Sequence, residues 1–231
     1  MDERERPRGD RDEAMDGLTA VNLLLVPDRR TCDQARALNG ELRRDLGWGY
    51  AFDETHQPHV TVLQRYVRRA DLARGLAAVG AAFDGAALAR STLRTTGLSA
   101  AAFGTSPGTV LAGVDVEPTP SLYRLQEALL QAIGPFSVTG GDASAFFAQA
   151  GEPPIGPATI AYVEGFVPAH TGPRYAPHMT VGVGDERFVA RLSSRFQGAT
   201  FSAGALAAYQ LGDLGTARLA LMSWPAVSLA A

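Results

Sequence analysis

The sequence predicts an α+β fold in which one unit is used twice and mixed or antiparallel sheets carry the chemistry. Three observations predict it. The order strand, helix, strand occurs twice along the chain. The two helices space their apolar residues alike: Ala35, Leu38, Leu42 and Leu46 in one, Leu122, Leu125, Leu129 and Ile133 in the other. The strand closing each unit carries the same five-residue frame, Pro58-His59-Val60-Thr61-Val62 and Pro177-His178-Met179-Thr180-Val181.

The elements follow in order. Leu18 to Val26 is an apolar run closed by Pro27 and reads as a buried strand. Thr31-x-x-Gln34 has the pattern of a capping box and predicts a helix that Gly47 and Gly49 stop. The first histidine strand spans 58–66. A helix over Asp71–Phe83 and a strand over Ala87–Thr96 lead to the second unit. There Thr109–Val116 reads as a strand, and Thr119 caps a helix with Pro120 in its first turn. Residues 136–157, rich in Gly, Pro and Ala, read as a surface insertion with a short helix at Ala143–Ala150 capped by Asp142. Thr159–Val167 reads as a strand, 177–183 as the second histidine strand, and Asp185–Arg195 as a helix. Two strands, Ala203–Leu211 and Ala217–Trp224, complete a single domain over 17–231. The charged stretch 1–16 reads as a disordered tail.

Composition narrows the function. With 231 residues the chain can bury a substantial core. A net charge of −3 argues against extensive contact with duplex nucleic acid. All 21 basic residues are arginine, so lysyl-nucleotide intermediates, Schiff bases and phosphate-loop lysines are excluded. The single Cys32 cannot form an internal disulfide and suits a reducing cytoplasm. The N-terminus lacks an apolar signal core, and no run reaches the ~18 apolar residues of a membrane helix. The expected location is cytoplasmic, with no membrane contact and no obligatory protein partner.

Residues two apart on a strand share a face. His59 and Thr61 therefore point one way, with Val60 and Val62 opposite. His178 and Thr180 repeat the arrangement against Met179 and Val181. Two imidazoles facing one phosphodiester form an acid–base pair: one neutral ring removes a proton, and the other, protonated, supplies one to the leaving oxygen. The threonine hydroxyls can donate to non-bridging oxygens. No cofactor is needed. A zinc site wants three or four ligands, and no third donor repeats with the pair. His56 and His170 lie in predicted loops and read as surface residues.

These two His-x-Thr motifs, in this order of elements, resemble those of the 2H phosphoesterase superfamily, close to the bacterial 2′-5′ RNA ligase-like group. The resemblance spans roughly residues 18–224. It implies a bilobal duplicated fold, two sheets flanking a central cleft with helices outside, and both motifs lining that cleft. It implies His59, His178, Thr61 and Thr180 as catalytic residues. It also implies activity on 2′,3′-cyclic phosphates or 2′,5′ linkages, with a nucleotide or a short RNA end as substrate.

Three neighbours are candidate substrate-binding residues. Arg65 shares strand parity with His59 if the strand stays regular. Tyr175 could stack on a base, and Arg174 could meet a phosphate. The alternative is a nucleotide- or RNA-binding module that keeps the cleft without turnover.

Overall fold

A computed structural model describes residues 17–53, 56–102 and 107–226. The expected tail over 1–16 lies outside them. In chain order the elements are β1 (Leu18–Pro27), α1 (Arg29–Leu46), β2 (Val60–Arg68), α2 (Leu72–Ala82), α3 (Gly85–Ala89), β3 (Leu93–Ala102), β4 (Thr109–Val116) and α4 (Pro120–Ile133). There follow β5 (Ser137–Val138), α5 (Pro157–His170), β6 (His178–Asp185), α6 (Glu186–Ser194), β7 (Thr200–Phe201), β8 (Ala203–Leu211) and β9 (Ala217–Pro225). They form a five-stranded sheet, β5-β2-β1-β8-β9, and a four-stranded sheet, β6-β4-β3-β7. Every strand pairing is antiparallel. The fold is the bilobal α+β duplication expected, with two sheets flanking a central cleft.

The lobes exchange helices. Helix α1, which follows β1, packs on β6 of the other sheet, while α4, which follows β4, packs on β2. Each histidine strand is thus backed by the helix of the other unit. One apolar core consequently runs through both lobes, from Leu23, Leu63 and Leu129 to Leu42, Val114 and Val181. Gly182 lets α1 come close. Its φ of 143° favours glycine, and a Cβ there would stand 2.9 Å from Asn39 Nδ2.

Capping explains where the exchanged helices begin. The Asp28 carboxylate accepts from the Thr31 amide at 2.9 Å, so α1 starts at Arg29, before the predicted Thr31 box. Gly47, at φ 81°, ends it and returns its N–H to the Arg43 carbonyl. Helix α4 starts as predicted, with Thr119 accepting from the Leu122 amide and Pro120 in its first turn.

Two predicted strands are corrected. The segment Thr159–Val167 is part of helix α5. An apolar run without alternation does not distinguish strand from helix. Here Pro157 opens the helix, and Asp213, remote in sequence, accepts from the Gly156 amide at 3.0 Å and the Thr159 hydroxyl at 2.5 Å. Thr159, Val163 and Phe166 then form its buried stripe. The segment Ala87–Thr96 is divided between α3 and β3, because Asp84 accepts from the Ala87 amide and starts a short helix.

The insertion is less peripheral than predicted. Its expected helix is a single 3-10 turn at Ala143–Ala145, capped by Asp142. Ala145, Phe146 and Ile155 are buried against Tyr66, Ala20 and Leu211, so the segment closes one end of the larger sheet. No helix among the described residues is long and apolar enough to cross a membrane.

Candidate active site

The two histidine strands share an irregularity as well as a motif. In β2, Thr61 pairs with Leu24 and Leu63 with Leu23, leaving Val62 unpaired. In β6, Thr180 pairs with Gly113 and Gly182 with Ala112, leaving Val181 unpaired. The frame's final valine is therefore a β-bulge in both lobes. Each bulge carbonyl is satisfied by an amide on the exchanged helix. Gln126 of α4 donates to Val62 O at 2.9 Å, and Asn39 of α1 donates to Val181 O at 2.9 Å. The same two amides hold the loops that enter the histidine strands. Asn39 bonds Tyr50 O and the Phe52 amide; Gln126 bonds His170 O and the Gly172 amide. Both side chains are buried, where an unmade bond costs ~1–3 kcal/mol.

Each imidazole is oriented by its own backbone. His59 Nδ1 lies 2.8 Å from Gln57 O, and His178 Nδ1 lies 3.0 Å from Ala176 O. A carbonyl only accepts, so Nδ1 is the donor in both rings, and Nε2 is the nitrogen left for chemistry. The buried prolines Pro58 and Pro177 anchor the approach to each ring. Burial lowers the His59 pKa below its ordinary value, the bond to Gln57 O opposes this, and the charge on His178 lowers it further. The His178 charge therefore reaches His59.

Around this shared frame the lobes differ. On β1, Asn22 is fully buried, and its Nδ2 sits 3.4 Å from His59 Nε2 and 3.3 Å from Thr61 Oγ1. Its cross-strand partner is Gln64, also buried. The same register in the second lobe holds Leu111 opposite Val183. There the polar groups lie on the other side of the motif. Asp115 is the cross-strand partner of His178, and its carboxylate accepts from the Ser99 hydroxyl at 2.7 Å. Gly97 and Gly113 pave the same face, and a Cβ at Gly113 would stand 3.5 Å from the His178 ring. The positions corresponding to Asp115 and Ser99 in the first lobe are the apolar Val26 and Ala207, by the shared register.

Of the sequence-predicted residues, His59 with Thr61 and His178 with Thr180 share their faces as expected. Arg65 does not join them. The bulge at Val62 shifts parity, so Gln64 follows Thr61 on that face, while Arg65 pairs with Val21 on the face of Leu63 and Val67. Tyr175 is 4% exposed, too buried to offer a face to a base. Burial raises its pKa, and its hydroxyl donates to Thr61 O at 2.9 Å, bracing one lobe on the other. Arg174 is exposed on the 3-10 turn leading into β6.

His56 and His170 are both partly buried, contrary to the surface reading. His56 stacks on Tyr50 and lies 3.2 Å from Asp53. His170 packs on Tyr162 and Phe166, and burial, then the His178 charge, lowers its pKa. Among the described residues no group of three or more His, Cys, Asp or Glu is placed to hold a metal ion. The residues missed in the sequence are Asn22, Asp115 and Ser99. The signal for the first two was present: each is the lone strongly polar residue of an otherwise apolar strand.

The fold and the paired motifs define a duplicated two-histidine cleft. No protein-family model matches the sequence, and no curated protein matches it. Among solved structures, the crystal structure of TT0787 of Thermus thermophilus is similar, with a TM-score of 0.52 and 15% identity. The likeness covers 90% of this chain and 97% of that one, so the whole duplicated fold is shared.

Proposed function

We propose that the chain is a phosphodiesterase of the 2H phosphoesterase type, close to the 2′-5′ RNA ligase-like group, acting on a 2′,3′-cyclic phosphate or a 2′,5′ linkage of a nucleotide or RNA end. The observation that supports this best is the matched pair of imidazoles. Each is tied at Nδ1 to a carbonyl two residues upstream, and each is followed by a threonine on the same face. One Nε2 accepts a proton from the attacking water; the other supplies one to the departing oxygen. Thr61 and Thr180 donate to the non-bridging oxygens as charge develops there. Two histidines suffice for this acid–base chemistry, and ligation would use a 5′-hydroxyl in place of water.

The test is turnover of 2′,3′-cyclic nucleotides in the presence of EDTA by the wild type, His59→Ala and His178→Ala. The expected result is hydrolysis by the wild type and a loss of at least ~10²-fold in each variant. Near-normal turnover in either folded variant sinks the two-histidine mechanism. Binding without product, here and on 2′,5′-linked RNA, would turn the reading to a binding module.

A further inference from the structure

We propose that Asn22 is a positioning residue that fixes His59 as the base of the proposed reaction and leaves His178 as the acid. The proposal rests on that reading of the cleft. His59 Nδ1 already donates to Gln57 O, so in the neutral ring Nε2 holds a bare lone pair. Asn22 presents its Nδ2 to that atom at 3.4 Å and to Thr61 Oγ1 at 3.3 Å. An N–H donor aimed at Nε2 matches the neutral ring and opposes a proton on the same atom. Asn22 Oδ1, which could accept from a protonated ring, is turned away, buried and without a partner among the described residues.

The setting allows little relief. Asn22 is 0% exposed in the middle of β1, flanked by Val21 and Leu23, so water cannot readily replace it. Among the described residues, His178 is the titratable group whose charge bears on His59, and that charge also disfavours a second proton. The second lobe lacks the device. Its register equivalent is Leu111, and the polar neighbour of His178 is the Asp115 carboxylate, held by Ser99. An amide donor at Nε2 of one ring, and a carboxylate in place of any such donor on the strand across from the other, make the two rings chemically unequal.

The assignment completes the reaction. For a cyclic phosphate, the water oxygen bonds to phosphorus as His59 Nε2 takes its proton. The bond from phosphorus to the departing ribose oxygen breaks, and His178 Nε2–H protonates that oxygen. The product is a phosphomonoester, and the proton now on His59 returns to His178 through solvent.

The first experiment needs no substrate. Nitrogen-15 spectra of the histidine rings in the full chain should show His59 with Nδ1 protonated and Nε2 bare at neutral pH. A proton resting on His59 Nε2 would overturn the proposal without any variant. In Asn22→Asp, an acceptor replaces the donor, and the His59 titration midpoint should rise by about one pH unit or more. An unmoved midpoint in the folded variant would also overturn it. Where cyclic nucleotides are turned over, the acidic limb of the kcat/KM profile should move with the His59 midpoint, because that limb reports the base. Movement of the alkaline limb instead would make His59 the acid. Absence of turnover on every phosphodiester tested would refute the enzyme reading, and the ring spectra would still decide what Asn22 does to His59.

Discussion

The two lobes carry the same five-residue frame, the same bulge and an amide behind each bulge, yet they surround their histidines differently. Beside His59 stands Asn22, a buried amide donor; beside His178 stands Asp115, a carboxylate bonded to Ser99. What is repeated is the geometry of the ring: the proline, the carbonyl at Nδ1, the threonine two residues on. What diverges is the neighbouring strand: it sets an amide at His59 Nε2 and a carboxylate at the position across from His178. The repeat therefore supplies two equivalent mounts, and changes on the neighbouring strand are enough to give them unequal surroundings.

The largest effect should be the one the lobes share. Removal of either imidazole costs at least ~10²-fold in turnover, and one lobe retaining most activity would break the symmetry of the mounts. The next comparison concerns the latches behind the bulges. Gln126→Ala and Asn39→Ala each leave a bulge carbonyl and an entering loop unsatisfied. Each should lose ~1–3 kcal/mol in urea unfolding. A loss in one lobe only would show that a single latch holds the structure.

Smaller effects are expected at the starts of the exchanged helices. Asp28→Ala and Thr119→Ala remove the side-chain caps of α1 and α4 and should cost about 1 kcal/mol each. Asp28 also accepts from the Ser202 amide and hydroxyl, so its loss should be the larger in thermal unfolding.

The smallest expected effect follows pH. His59 and His170 have pKa values lowered by burial, with the His178 charge contributing to both. The unfolded chain, with imidazoles near 6.5, then binds more protons than the folded one. Their stabilising contribution is full above pH ~6.5 and is lost as the pH falls through the depressed folded values. The melting temperature should decline from pH 7 toward 5, less steeply in His170→Phe. A flat profile would contradict the burial of neutral rings.

Much of this was legible in the chain. β4 and α4 follow directly from Thr109–Val116 and the Thr119-Pro120 start, because local alternation and capping decide them. The face shared by His59 and Thr61 follows from strand parity over two residues. Parity fails at Arg65, four residues further, because Val62 looks like any strand valine. Its bulge is stabilised from the other lobe by Gln126, at a distance in sequence that no local pattern reveals. Helix α5 was hidden for the same reason, since the carboxylate that ties down its first turn is the remote Asp213. Asn22 was visible as a polar residue in an apolar run, but its meaning depends on β1 and β2 becoming neighbours.

The exchange of elements also sets a timetable for synthesis. The smaller sheet needs α1, which has already emerged when β6 appears. The larger sheet finishes last, because β1 waits for β8, almost the whole chain later, and β8 waits for β9. At ~5–20 residues per second, one flank of β1 stays bare on the ribosome for roughly ten seconds or more. During that interval its apolar side chains are what a chaperone would find. The His59 strand can pair with β1 early, but its sheet is completed only when β8 and β9, the last long strands, arrive.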